Sequence, residues 1–123
     1  MKYDYDVVVI GGGAAGLTAS KTANGLGKKV ALIEKTDRLG GECTWTGCIP
    51  SKTLIKTAKV AWHYKHLETF GLKTSAVPEL NTENVMSYVR AIVQEDYQSH
   101  TPQKIEDLGI DVLFGDPRFI DHN

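Results

Sequence analysis

Only two of the 123 residues are cysteine, only four are proline, and neither charge sign prevails. Lys and Arg number 14 against 15 Asp and Glu, a net charge of -1, and the basic residues do not cluster. That excludes the electrostatic footprint of a nucleic-acid binder. The one basic helix face, Lys52, Lys56 and Lys59, reads as solvated rather than membrane-binding. No stretch approaches the roughly 20 apolar residues of a membrane span. The apolar run in MKYDYDVVVIGGGAAGL follows Asp4 and Asp6 and is cut by glycines, so it reads as strand and turn rather than signal peptide. Internal repeats and low-complexity segments are also missing. The expectation is a cytoplasmic chain, one domain long, with no nucleic acid and no membrane as partner. In a reducing compartment a close cysteine pair is redox-catalytic or metal-binding more readily than a structural staple.

What is abundant is glycine, 12 residues in all, and its placement is informative. Tyr5 to Ile10 is a short β-branched run that suits a strand buried on both faces, ended by three glycines. From Ala14 to Leu26 the residues are small or helix-compatible, and Gly25 with Gly27 supplies a stop. Lys29 to Glu34 reads as a second buried strand, which completes one βαβ unit. Gly11-Gly12-Gly13-Ala14-Ala15-Gly16 therefore sits where strand gives way to helix. There the first glycine permits the tight turn, the second lets backbone approach a pyrophosphate, and the third lets helix and strand pack closely. The exposed N–H groups at the helix start, from Ala14 and Ala15 onward, face the phosphate charge. Glu34, 18 residues beyond Gly16, ends the second strand, where a carboxylate can accept from ribose hydroxyls and disfavours a 2′-phosphate. This pattern does not separate FAD from NAD.

Further along, Pro50 fits a first helical position, and Leu54, Ile55, Ala58, Ala61 and Trp62 give one apolar face up to about Leu67. Gly71 to Leu80, with Pro78, reads as loop. A second helix starts at Asn81 as N-cap and runs along Val85, Val89, Ile92 and Val93. Pro102 breaks it near His100, and Thr101-Pro102 opens a short helix to Leu108. Gly109 stops that helix, and Asp111 to Phe114 forms a third strand.

Cys43 and Cys48 lie in GGECTWTGCIPSK, residues 40 to 52. Fully extended, five steps would part their Cα atoms by about 17 Å, beyond the roughly 4.4–6.8 Å a disulfide allows, so the segment must curl. A bridge closing so short a loop is apt to be strained and reducible. Cys48 stands at a helix start, where the dipole favours a thiolate by only about 0.3–1 kcal/mol, so a further partner is needed. An oxidised flavin is one such partner, and Lys52, one turn on, holds positive charge on the same face. Three rivals remain: two small core cysteines, a zinc site of Cys43, Cys48, His63 and His66, and a thioredoxin-type motif. Four intervening residues exclude the last, and the histidine spacing is short for zinc. His63 and His66 are expected on the solvated side of their helix.

Gly11 to Gly16, Glu34-Lys35 and Gly40-Gly41-x-Cys43-x-x-x-Gly47-Cys48-x-Pro50-Ser51-Lys52 together resemble the N-terminal part of the class I pyridine nucleotide-disulfide oxidoreductases. The resemblance implies that Gly11, Gly13 and Gly16 cradle the FAD pyrophosphate and that Glu34 holds the adenosine ribose. Lys35 and Gly115 would lie near the adenine, while Gly40, Gly41, Cys43, Cys48 and Lys52 would surround the ribityl chain and flavin. Cys48 would be the charge-transfer thiol and Cys43 the interchange thiol. Electrons would pass from NAD(P)H through FAD to the Cys43-Cys48 disulfide, and on to a disulfide, a metal ion or another small acceptor. Where the family usually has an aliphatic residue, Asn and another aliphatic residue, this chain has Thr44-Trp45-Thr46, which looks most like the mercuric-reductase-like branch. Trp45 would either shape a substrate channel or cover the loop.

The expected fold is α/β, a Rossmann-like three-layer FAD-binding domain in truncated form, with a partial parallel sheet ordered 3-2-1. Residues 1–123 would be the N-terminal part of the FAD/NAD(P)-binding domain, without the nicotinamide and dimerisation domains that complete a homodimeric enzyme. No resident metal is expected, and the fragment alone is expected to be inactive. Its first strand would be an open edge, so that marginal stability or self-association is expected. The alternative reading is a non-catalytic dinucleotide-binding module with structural or zinc-binding cysteines.

Overall fold

The fold is given by a computed structural model that describes residues 3–73, 76 and 79–120. Strand β1 (Val7–Ile10), helix α1 (Ala14–Gly25) and strand β2 (Val30–Glu34) form the expected βαβ unit, and strand β3 (Ile110–Phe114) extends the sheet. All pairings are parallel, in the order β1-β2-β3, with Val7 beside Val30 and Val30 beside Ile110. Helix α1 stops because Gly27 turns left-handed at φ +76°, letting Lys28 N–H reach the Ala23 carbonyl and Gly27 N–H that of Asn24.

Packing follows the pleat. Leu17, Val30, Leu32, Leu39, Ile105 and Ile110 make the core, with Val7, Val9 and Val112 packed against it. Each fully buried aliphatic side chain contributes about 1.5–3 kcal/mol. Only β2 is enclosed over most of both faces. In β1 the outward residues Val8 and Ile10 are 52% and 56% exposed, which corrects the expectation of a strand buried on both faces. Helices α1 and the short α5 (Pro102–Glu106) cover the inward face, and the outward side chains Val8 and Ile10 of β1 and Asp111 and Leu113 of β3 are left exposed.

Between β2 and β3 stand three helices that pack on one another: α2 (Gly41–Trp45), α3 (Cys48–Lys65) and α4 (Thr82–Tyr97). Neither α2 nor the 3-10 turn Leu67–Phe70 was legible in the sequence. Helix α3 begins at Cys48, two residues before the expected start, so Pro50 occupies the third helical position. The first turn tolerates it because its missing N–H has no helical acceptor there. The apolar face expected on α3 is largely uncovered: Leu54, Ile55 and Trp62 are exposed, and the buried residue is Thr53. Asn81 does cap α4, its side chain accepting from Asn84 N–H at 3.0 Å, and Val89 and Val93 are its buried residues. Thr101 caps α5 after the break at His100. Of the expected loop from Gly71 to Leu80, Pro78 lies outside the described residues.

Candidate active site

The site is assembled where two glycine turns meet at the carboxyl end of the sheet, the edge at which open α/β sheets bind ligands. Gly11 adopts φ +100°, and Gly16 packs so closely beneath it that a Cβ there would lie 1.8 Å from the Gly11 carbonyl oxygen. Gly13 precedes α1 with no side-chain cap, so the first N–H groups of that helix, at exposed Ala14 and Ala15, remain open to an anion. Gly40 N–H donates to the Gly12 carbonyl at 2.8 Å, and Gly13 and Gly40 form an isolated parallel bridge. A Cβ on Gly41 would stand 2.9 Å from the Gly13 Cα. The phosphate turn and the cysteine loop are thus in backbone contact.

Glu34 is buried, and both of its carboxylate oxygens accept hydrogen bonds. Gly12 N–H donates to its Oε2 at 2.7 Å, while the Thr36 N–H and hydroxyl donate to Oε1 at 2.8 and 2.9 Å. Burial pushes its carboxyl up, but the hydrogen bonds from Thr36, Gly12 and Lys35 together outweigh it and hold the group below the usual glutamate value. A hollow of about 290 Å³ opens beside it, lined by Ile10, Gly11, Ile33, Glu34, Lys35, Asp116 and Pro117. Gly115, whose N–H donates to the Glu34 carbonyl at 2.9 Å, sets the entry of Asp116 and Pro117 into that wall.

The cysteine segment curls as the spacing demands, because Glu42 ends α2 by accepting from both Thr46 N–H at 3.0 Å and Gly47 N–H at 2.6 Å. Cys48 then opens α3. Cys43 is half-buried and Cys48 exposed, and no disulfide joins them. Hydrogen bonding to the Cys48 sulfur raises Cys43 above the ordinary thiol range, burial and the Cys48 charge add to this, and the Cys48 N–H and Lys52 oppose it. Lys52, exposed on α3, reaches the pair through its charge.

Trp45 covers the loop: its Nε1–H donates to the Leu39 carbonyl at 2.8 Å, Arg38 lies 3.9 Å over its ring, and Tyr97 packs on it at 4.9 Å. Beneath it Thr44 is buried against Asp96 and His100, neither of which any spacing pattern singled out. The zinc alternative fails on geometry. His63 and His66 are 15 and 18 residues beyond Cys48, at the far end of and just past α3, about 22 Å away or more at 1.5 Å per residue. Both are exposed, and His66 Nδ1 is 2.7 Å from the Trp62 carbonyl oxygen while its ring stacks on the Trp62 indole. Among the described residues no three His, Cys, Asp or Glu side chains gather to hold a metal ion.

A parallel sheet, a glycine turn, an acid ending β2 and two cysteines at the start of the next long helix are thus brought together. The family model for pyridine nucleotide-disulphide oxidoreductases matches residues 5–114, and the chain belongs to that family. Its relatives include a dihydrolipoyl dehydrogenase of Bacillus subtilis, 42% identical over 77% of this chain and 20% of the relative. A mercuric reductase of Bacillus cereus is 32% identical over 98% of this chain and 19% of the relative. A glutathione reductase of Nostoc is 32% identical over the whole chain and 26% of the relative. The chain thus spans about a fifth to a quarter of the length of these relatives.

Proposed function

We propose that the chain is the N-terminal part of the FAD-binding domain of an NAD(P)H-dependent disulfide oxidoreductase, with the nicotinamide and dimerisation domains outside residues 1–123. The observation that carries this is the backbone contact of Gly12 and Gly13 with Gly40, which sets a phosphate turn against the dithiol loop. The residues fit FAD: the uncapped α1 start has room for a diphosphate, since Cβ positions at Gly11 and Gly13 meet nothing closer than 3.8 Å. The hollow beside Glu34 is open to an adenosine.

In this reading Gly11, Gly13, Ala14, Ala15 and Gly16 hold the diphosphate through backbone N–H groups, and Glu34 accepts from the ribose hydroxyls. Lys35, Gly115 and the Asp116-Pro117 wall enclose the adenine. Gly40, Gly41 and Lys52 border the flavin end, with Cys48 toward the flavin and Cys43 toward the acceptor. Bound FAD supplies two-electron transfer between a nicotinamide and the dithiol. With a disulfide acceptor, the Cys43 sulfur gives up its proton and attacks one acceptor sulfur, breaking that S–S bond and releasing one thiol. The Cys48 sulfur then displaces the second thiol and closes the Cys43–Cys48 bond, so two electrons and two protons leave on the acceptor. A metal ion or another small molecule is the other acceptor class, and the acting unit is a cytoplasmic homodimer.

Titration of FAD onto the chain tests this. Saturable quenching of flavin fluorescence, reversed by ADP and weakened at least tenfold by Glu34→Ala, is expected. Stoichiometric bound zinc, or FAD binding that ADP does not displace, would contradict it.

A further inference from the structure

Thr44 is a buried hydroxyl in the middle of the cysteine loop, 4% exposed, where an aliphatic side chain would need no partner. Its hydroxyl donates to Asp96 Oδ2 at 2.9 Å, so its oxygen is left to accept from His100 Nε2 at 3.3 Å. That places the imidazole proton on Nε2, and Nδ1 is then the acceptor for the Ser99 hydroxyl at 3.0 Å. The hydrogen bonds run in one direction, from Ser99 through His100 and Thr44 to Asp96, and no member is left unsatisfied. His100 is itself 7% exposed. The same imidazole closes on the loop backbone, since a Cβ on Gly40 would stand 2.9 Å from Nε2 and 2.8 Å from the Thr44 Cβ. Cys43, Thr44, Asp96 and His100 line one pocket of about 240 Å³ together with Ile49 of α3.

We infer that the Ser99–His100–Thr44–Asp96 chain is the positioning device of the dithiol. It clamps α2 to the end of α4 so that Cys43 is held within reach of Cys48. The inference rests on the dithiol role proposed above. Helix α2 has only five residues and cannot fix its own orientation. Its neighbour α4 is a 16-residue helix with Val89 and Val93 buried, and Thr44 ties α2 to it through Asp96, beside the packing of Trp45 on Tyr97. Loss of the clamp lowers the effective concentration of one sulfur at the other.

The test needs no flavin. Equilibration with glutathione follows protein dithiol plus glutathione disulfide going to protein disulfide plus two glutathione, with both electrons and both protons passing to the glutathione sulfurs. The protein disulfide is quantified by mass after alkylation of free thiols. Thr44→Val, which keeps the shape and deletes the hydroxyl, is expected to lower the equilibrium constant about tenfold, the size of an ordinary lost hydrogen bond. Thr44→Ser is expected to restore it to within threefold of the parent. Asp96→Leu, on the partly exposed side of α4, should act as Thr44→Val does and serves if that variant fails to fold. A purely structural role would change the unfolding midpoint while leaving the equilibrium constant of the folded protein within threefold, and that result would overturn the inference. Failure of the parent to form any intramolecular disulfide would instead overturn the dithiol role on which it rests.

Discussion

Replacing Gly16 by alanine isolates the contact on which the phosphate turn depends. The added Cβ would fall 1.8 Å from the Gly11 carbonyl oxygen and 3.0 Å from its carbonyl carbon, backbone atoms that no rotamer change can move aside. Restoring a tolerable separation requires α1 and the end of β1 to part by more than roughly 1 Å, in an interior packed at crystal density. Overpacking costs about 1–3 kcal/mol when side chains can yield, and this contact, backbone against backbone, should reach at least the top of that range. Against a total stability of about 6–18 kcal/mol for a chain of this length, a loss of about 3 kcal/mol lowers the melting temperature by about 10 °C. Gly25→Ala in the same helix is the control. Nothing lies within 4 Å of its Cβ position, so it should stabilise by about 0.5–1 kcal/mol. Urea unfolding of the three proteins, with FAD titration of each, is the assay. A Gly16→Ala protein within 0.5 kcal/mol of the parent, with unchanged FAD affinity, would refute the reasoning.

Ser20 is fully buried and its hydroxyl finds no partner among the described residues, so Ser20→Ala should raise the unfolding free energy by up to about 1–2 kcal/mol, read as a higher urea midpoint with an unchanged slope. Two depressed groups make stability fall in acid. His100, lowered by burial and by Lys21 despite Asp96, binds a proton more readily unfolded, so stability declines as pH drops below the ordinary histidine value of 6.5. Glu34 gives a second decline as pH falls below 4.5 through its lower folded value, and Glu34→Gln should remove that part of the profile. Val8 lies on the open face of a strand paired on one side only, so Val8→Lys should reduce concentration-dependent association in sedimentation.

The βαβ unit was legible because each of its pieces has a local cause: β-branched runs, glycines where φ turns positive, and an acid closing β2. The capped starts of α4 and α5 were legible for the same reason, since Asn81 and Thr101 act on N–H groups three residues away. Helix α2 was not, because its five residues are held by tertiary contacts of Thr44 and Trp45 rather than by propensity. The Asp96 and His100 partners were hidden for a related reason. They lie more than 50 residues from Thr44 in sequence, and only the meeting of α4 with the cysteine loop gives them meaning. Burial was misjudged where an apolar pattern does not say how many faces are covered, as at Val8 and Ile10 of β1 and along α3.

The account stands most directly on the two sulfurs having different roles beside a flavin. Anaerobic two-electron reduction of the FAD-loaded protein should produce a long-wavelength absorbance from a thiolate against the oxidised flavin. Cys48→Ser should abolish the band and Cys43→Ser should retain it. A band that survives Cys48→Ser, or its absence from the FAD-loaded parent, would contradict the account.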